Sequence, residues 1–155
     1  MPETINVEMA DLAVSANQEI LKTSGVGSCL VVTLYDPVNK IGGMAHAMLP
    51  KDTTNEQGTP ESFRFVDDAI NEMISRITEK GGKIDNLRAK LVGGAKMFSL
   101  LADDEEGIGE QNISSAKETL NEKGISIESE DIGGTIGRRV EFNVGTGLVS
   151  VSTKM

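Results

Sequence analysis

The stretch "SCLVVTLYDPVNKIGGMAHAML", Ser28 to Leu49, constrains the fold more than any other part of the chain. Two runs rich in β-branched and apolar residues flank Asp36-Pro37-Val38-Asn39. Asp suits the first position of a type I turn and Pro the second, because the pyrrolidine ring fixes φ where that turn needs it. The two runs are therefore expected to form a β-hairpin. If Asp36 and Asn39 close the turn, residues that face each other have numbers summing to 75, which pairs Cys29 with His46. Direct cross-strand partners hold their Cβ atoms roughly 4.5–5.5 Å apart on one face. That face carries Cys29, Val31, Thr33 and Tyr35 against Met44, His46 and Met48. The other carries Leu30, Val32 and Leu34 against Ala45, Ala47 and Leu49, is uniformly apolar, and belongs in a core. The mixed face is expected to open onto a site at one end. A bulge at Gly42-Gly43 would move the register, and a slip of one residue would send Cys29 and His46 to opposite faces.

The remaining elements follow from periodicity. "INVEMADLAVS" alternates loosely and predicts a first strand. From Glu61 to Lys80, Val66, Ala69, Ile70, Met73, Ile74 and Ile77 recur at helical spacing, with Gly81-Gly82 as the stop. "TTNEQGTPES", Thr53 to Ser62, reads as a loop bordering any cleft near His46. "LRAKLVGGA" predicts a buried strand, and "EQNISSAKETLNEKG" a second helix with Ile113, Ala116 and Leu120 on one side. The tail, "ISIESEDIGG", "RRVEFNVGTG" and "LVSVSTK", reads as three strands. This order predicts an α+β fold: one domain over residues 1–155, a layered α/β/β unit with a mixed sheet and helices on one side.

Composition narrows the function. A net charge of −9 opposes binding to nucleic acid, since affinity for a phosphate backbone comes mainly from Lys and Arg. The longest apolar runs, such as "CLVV", fall far short of the ~20 residues of a membrane span. The acidic N-terminal stretch lacks the basic and apolar regions of a secretory leader. One Cys forms no internal disulfide, so a reducing cytoplasm is the expected location. With one Cys and one His, no metal site is expected. The glycines of "LVGGAKMF" and "DIGGTIGRR" lack the P-loop pattern; a phosphate cradle at "GGTIGRR" stays open, beside a structural or partner-binding role for Arg138 and Arg139.

Cys29 and His46 suit nucleophilic catalysis. An imidazole that takes the thiol proton creates the thiolate, and the same ring can later protonate departing ammonia or amine. A hydroxyl, amide or carboxylate would orient the ring. In "GVGSC" the glycines let a substrate approach the backbone, and N–H groups near Gly27, Ser28 and Cys29 would form an oxyanion hole. The same residues are equally read as an inert core thiol, a satisfied structural histidine and a tight entry into a strand.

"TSGVGSCLVVTLYDPVNKIGGMAHAMLP" resembles the signature region of the CheD family, the chemoreceptor glutamine deamidases. The likeness continues through "LRAKLVGGAKMF", "IGEQN" and "DIGGTIGRRVEFNVGTG", from Thr23 to Val151. It implies a Cys29-His46-Thr23 triad, a fold similar to the catalytic domain of cytotoxic necrotizing factor toxins, and no cofactor. The implied reaction hydrolyses selected glutamines of methyl-accepting chemotaxis proteins through a cysteine thioester. Hydrolysis of receptor glutamyl methyl esters and binding to the phosphatase CheC belong to the same expectation. Gln111 departs from the pattern, standing where the family is expected to carry Arg. Two other readings remain beside it: a non-catalytic receptor or CheC adaptor, and a general cysteine protease.

Overall fold

A computed structural model describes residues 2–51, 63–96 and 107–154. Its strands are β1 (Thr4–Asn6), β2 (Asp11–Ser15), β3 (Ile20–Val26), β4 (Leu30–Asp36), β5 (Ile41–Ala47), β6 (Arg88–Gly93), β7 (Ser126–Ile132), β8 (Gly137–Asn143) and β9 (Leu148–Lys154). Helix α1 spans Val66–Glu79 and α2 spans Ile108–Glu122. The strands form two sheets, ordered β1-β3-β8-β9 and β2-β5-β4-β6-β7. Both are mixed: β1 runs parallel to β3 and β6 parallel to β7, and the other neighbours are antiparallel. The parallel β6–β7 pair requires a long crossover, which contains α2.

Alternation along β4 and β5 makes the layers. Leu30, Val32, Leu34, Ala45 and Ala47 face one core with Ala69, Ile70, Met73 and Ile77 of α1 and Ala116 and Leu120 of α2. Val31 and Met44, on the opposite face, pack with Leu21, Val26, Val140 and Phe142 of the other sheet. The helices thus cover one face of the five-stranded sheet and the four-stranded sheet covers the other. The predicted assignment of residues to faces holds. The mixed face, however, does not lie open: Val31, Thr33, Met44 and His46 are all buried, because a second sheet lies over them.

The hairpin register differs from the turn arithmetic. Asp36 pairs with Ile41 and Val31 with His46, so facing residues sum to 77 rather than 75. The loop is Pro37 to Lys40, and Lys40 adopts a left-handed φ of 55° to rejoin the ladder. Asp36 turns its carboxylate into this loop, accepting hydrogen bonds from the Val38 and Asn39 backbone, the Asn39 side chain, the Lys83 backbone and Asn86. Burial pulls its pKa up, but these donors prevail and hold it at about 2. Because the shift is by two residues, every side chain keeps its face. Gly42-Gly43 hosts no bulge in this pairing; a Cβ at Gly42 would lie 2.8 Å from the Phe142 ring, so close packing explains the small residue.

Two further strands depart from expectation. "INVEMADLAVS" is split between β1 and β2, in different sheets, with Ala10 at a left-handed φ of 66° between them. "TSGV", ahead of the expected strand entry, is itself the second half of an additional strand, β3. Val66, Ala69, Ile70, Met73 and Ile77 are the buried face of α1, as their spacing predicts. The predicted loop from Thr53 to Ser62 lies outside the described residues. No helix among the described residues is long and apolar enough to cross a membrane.

Candidate active site

Three strands place the candidate residues. Thr23 comes from β3 in one sheet, His46 from β5 in the other, and Cys29 stands immediately before β4. A bulge on β3 matters here: Thr23 pairs with Val140 but Val26 pairs with Arg138, so one extra residue enters between them. Gly25 takes it up with a φ of 70°. Without the bulge, Thr23 and Val26 would point to opposite faces; with it, both are buried.

The structure brings Thr23 and His46 together across the two sheets, with Thr23 Oγ1 2.8 Å from His46 Nδ1. The imidazole is 1% exposed, and its Nε2 is buried with no hydrogen-bond partner. Desolvation pushes the His46 pKa down to about 4, so the ring is neutral at neutral pH. If Nδ1 carries the proton it donates to Thr23 Oγ1, and Nε2 presents a free lone pair.

Cys29 is 9% exposed. Continued one residue beyond β4, the ladder sets it opposite Met48, hence diagonal to His46 rather than directly across from it. Diagonal neighbours on one face stand about 7–8 Å apart at Cα, within reach of longer side chains. No hydrogen bond joins the thiol to the unpartnered Nε2. Burial pushes the thiol pKa up, and a contact with the residue's own backbone offsets only part of that. Both charged forms are thus disfavoured, and the resting thiol and imidazole are each neutral.

The backbone around the thiol is held on every side. The Gly27 carbonyl accepts from the Ala95 N–H at 2.9 Å and the Cys29 carbonyl from the Gly94 N–H at 2.8 Å. Asn112 of α2 donates through Nδ2 to the Ser28 carbonyl at 2.9 Å and to the Met48 carbonyl at 3.1 Å. The bonds to the Gly27 and Ser28 carbonyls fix the Gly27–Ser28 and Ser28–Cys29 peptide planes, and with them the directions of the Ser28 and Cys29 N–H groups. Arg138 is buried beside the same end of the sheets, donating to Asp131 and to the Gly133 carbonyl, with Nη1 unpartnered. Gly133 in turn donates to the Gly93 carbonyl. The structural role expected for Arg138 is what the geometry displays, whereas Arg139 points outward and is exposed.

Three comparisons bear on what such a site belongs to. The family model described as "CheD chemotactic sensory transduction" matches residues 48–153. "Chemoreceptor glutamine deamidase CheD" of Halalkalibacterium halodurans is 39% identical over 99% of this chain and 95% of its own length. The chain belongs to the CheD family. "Probable chemoreceptor glutamine deamidase CheD" of Natronomonas pharaonis is 41% identical, covering 97% of this chain and 88% of that protein. Among solved structures, the Bacillus licheniformis hypothetical protein YfiH is similar in fold, with a TM-score of 0.50 at 15% identity. That match covers 78% of this chain and about half, 49%, of the other.

The matched family region begins at residue 48, beyond Thr23, Cys29 and His46, whereas the curated CheD relatives align over nearly the whole chain. One residue at this candidate site is not among those expected from the sequence: Asn112. The signal was present, because Asn112 lies four residues before Ala116 and eight before Leu120, on the apolar stripe of α2. An amide on that stripe is a buried polar group that needs partners. Its two donated bonds return about 0.5–1.5 kcal/mol each, while its buried and unpartnered Oδ1 costs about 1–3 kcal/mol.

The depressed pKa of His46 has a consequence for stability. An unfolded His takes up its proton near 6.5, the folded one only near 4, so the unfolded state binds more protons between those values. Stability associated with His46 is full above pH 6.5 and is lost as pH falls through 4, a difference of about 3 kcal/mol. Wild type is expected to lose more stability than His46→Gln between pH 7 and pH 4 in chemical denaturation. Parallel pH profiles for the two proteins would refute this.

Proposed function

We propose that this chain is a cysteine-dependent chemoreceptor glutamine deamidase, an amidohydrolase that converts selected receptor glutamines to glutamate. The near-full-length similarity to proteins named chemoreceptor glutamine deamidase carries this reading, and the Thr23–His46 hydrogen bond, with Cys29 diagonal to His46 by the continued strand register, gives it a geometry.

In this reading Cys29 is the nucleophile, His46 the general base and acid, and Thr23 the orienter of the ring. His46 Nε2 takes the Cys29 proton as sulfur attacks the carboxamide carbon. N–H groups near Gly27, Ser28 and Cys29 receive the oxyanion, and the anchored Gly27 and Ser28 carbonyls orient those of Ser28 and Cys29. Collapse breaks the C–N bond, and the imidazolium returns its proton to the leaving nitrogen as ammonia. Water, deprotonated by His46, then attacks the thioester, releasing glutamate and the thiol. The neutral resting pair suits this sequence, since charge separation is required only as the S–C bond forms. A glutamyl methyl ester enters the same sequence with methanol as the leaving group.

The finer assignments belong to the same proposal. Residues 1–155 form one catalytic domain of the cytotoxic necrotizing factor type, a likeness supported by the order of helix layer and two sheets. It works in the cytoplasm, consistent with a single unpaired cysteine, and its partners are methyl-accepting chemotaxis proteins and the phosphatase CheC. The test is incubation with a chemoreceptor cytoplasmic fragment. Ammonia release is expected with a mass gain of about one dalton per modified glutamine, as replacement of –NH2 by –OH requires. Binding without any mass change would favour the adaptor reading, and chain cleavage the protease.

A further inference from the structure

We propose that Asn112 is a positioning residue for the catalytic pair, the clamp that fixes the nucleophile loop against the histidine strand. The inference rests on the deamidase reading above and deepens it.

The β4–β5 ladder ends at the Leu30–Ala47 pair. Beyond that point the next backbone groups the two segments offer to Asn112 are carbonyls, those of Ser28 and Met48. Two carbonyl oxygens cannot hydrogen-bond each other, so a donor between them is needed to join the segments here. The carboxamide of Asn112 is fully buried and supplies one hydrogen to each. Its orientation is unambiguous, because both partners accept and only the NH2 end can donate. Ser28 directly precedes Cys29, and Met48 lies two residues beyond His46. A single side chain from the helix layer therefore ties the two segments together just beyond the last rung and sets the spacing between thiol and imidazole.

Stability alone does not account for an amide here. Oδ1 is buried without a partner, a loss of the same size as the gain from the two donated bonds. The site lies on the apolar stripe that Ala116 and Leu120 continue, where an aliphatic side chain would pack without that loss. What an aliphatic residue would not do is hold Ser28 and Met48 together. Ser115 provides the contrast: its hydroxyl, on the same helix, donates to the Pro50 carbonyl, two residues beyond Met48, a bond to one segment that does not join it to the other.

The test compares Asn112→Ala, Asn112→Gln and Ser115→Ala in the full chain. Each is read by kcat and KM on a receptor fragment, by the rate and pH profile of Cys29 alkylation with iodoacetamide in the free protein, and by thermal unfolding. Asn112→Ala is expected to lower kcat by about 10- to 100-fold with KM little changed, the scale of a sub-ångström to ångström misplacement of reacting groups. Its alkylation profile should move toward that of His46→Gln. Asn112→Gln keeps the amide on an arm one methylene longer and should fall in between; it gives the same reading if the alanine variant does not fold. Ser115→Ala should lower the unfolding temperature and leave kcat and the alkylation profile as in wild type. Unchanged kcat and alkylation in folded Asn112 variants, whatever their unfolding temperatures, would overturn the proposal. Inactive wild type would instead defeat the deamidase reading, while the alkylation profiles would still report whether the clamp sets the thiol's environment.

Discussion

Cys29→Ala is expected to abolish ammonia release and the mass gain on receptor fragments, with kcat falling by at least about 10³-fold. The residual chemistry would come from backbone N–H groups and substrate binding, which persist without a nucleophile. Cys29→Ser is expected to be nearly as inactive. A serine hydroxyl is much harder to deprotonate than a thiol, and the neighbouring imidazole, pushed down to about 4 by desolvation, is a weak base. Both variants should fold, since alanine and serine are no larger than the cysteine they replace, and the surrounding backbone bonds run through main-chain atoms. Retained deamidation in Cys29→Ala would remove the thioester mechanism. Intact receptor docking by the inactive variant would separate catalysis from binding.

Gly93→Ala is expected to have the largest effect on the fold near the site. Gly93 has a φ of 112°, a conformation that L side chains rarely adopt. A Cβ there would stand 2.5 Å from the Cys29 carbonyl oxygen and 2.6 Å from Val26 Cγ1. That oxygen is anchored to the Gly94 N–H, so it cannot yield without breaking the bond that positions the nucleophile loop. Strain and overpacking together should cost about 3 kcal/mol or more. For a chain of this size that is roughly 6–12 °C in unfolding temperature. The activity of the folded fraction should fall as well, since the displaced atom belongs to Cys29 itself. Wild-type unfolding temperature and kcat in Gly93→Ala would show that the crowding is relieved in solution at no cost.

The contrast between the two hairpin faces was legible because a period of two sorts residues whatever the loop length. Leu30, Val32, Leu34, Ala45 and Ala47 needed only alternation to be assigned to a core. The register was not legible in the same way. Asp36-Pro37-Val38-Asn39 satisfied the local chemistry of a turn, but the loop that forms is set partly by Lys83 and Asn86, distant in sequence, which donate to the Asp36 carboxylate. Turn arithmetic counts only neighbours along the chain.

β3 was missed for a related reason. "ILKTSGV" is interrupted by polar and glycine residues, and its strand conformation is imposed by pairing with β8 and by the bulge at Gly25. The sequence could name Thr23 only through the family resemblance; spacing alone offered no reason to bring it to His46.

From the sequence by itself came the apolar periods, and with them the helices α1 and α2, the hairpin and its buried face, and the presence of a single thiol and a single imidazole on the other face. These depend on interactions between near neighbours and on the burial of apolar surface, which the order of residues encodes directly. Tertiary structure decided the rest: that a second sheet closes over the mixed face, that Thr23 reaches His46 across the gap between sheets, and that an amide from the helix layer ties Ser28 to Met48. Each of these is a contact between segments far apart in the chain, and its geometry exists only once two packed layers have fixed the distance between them.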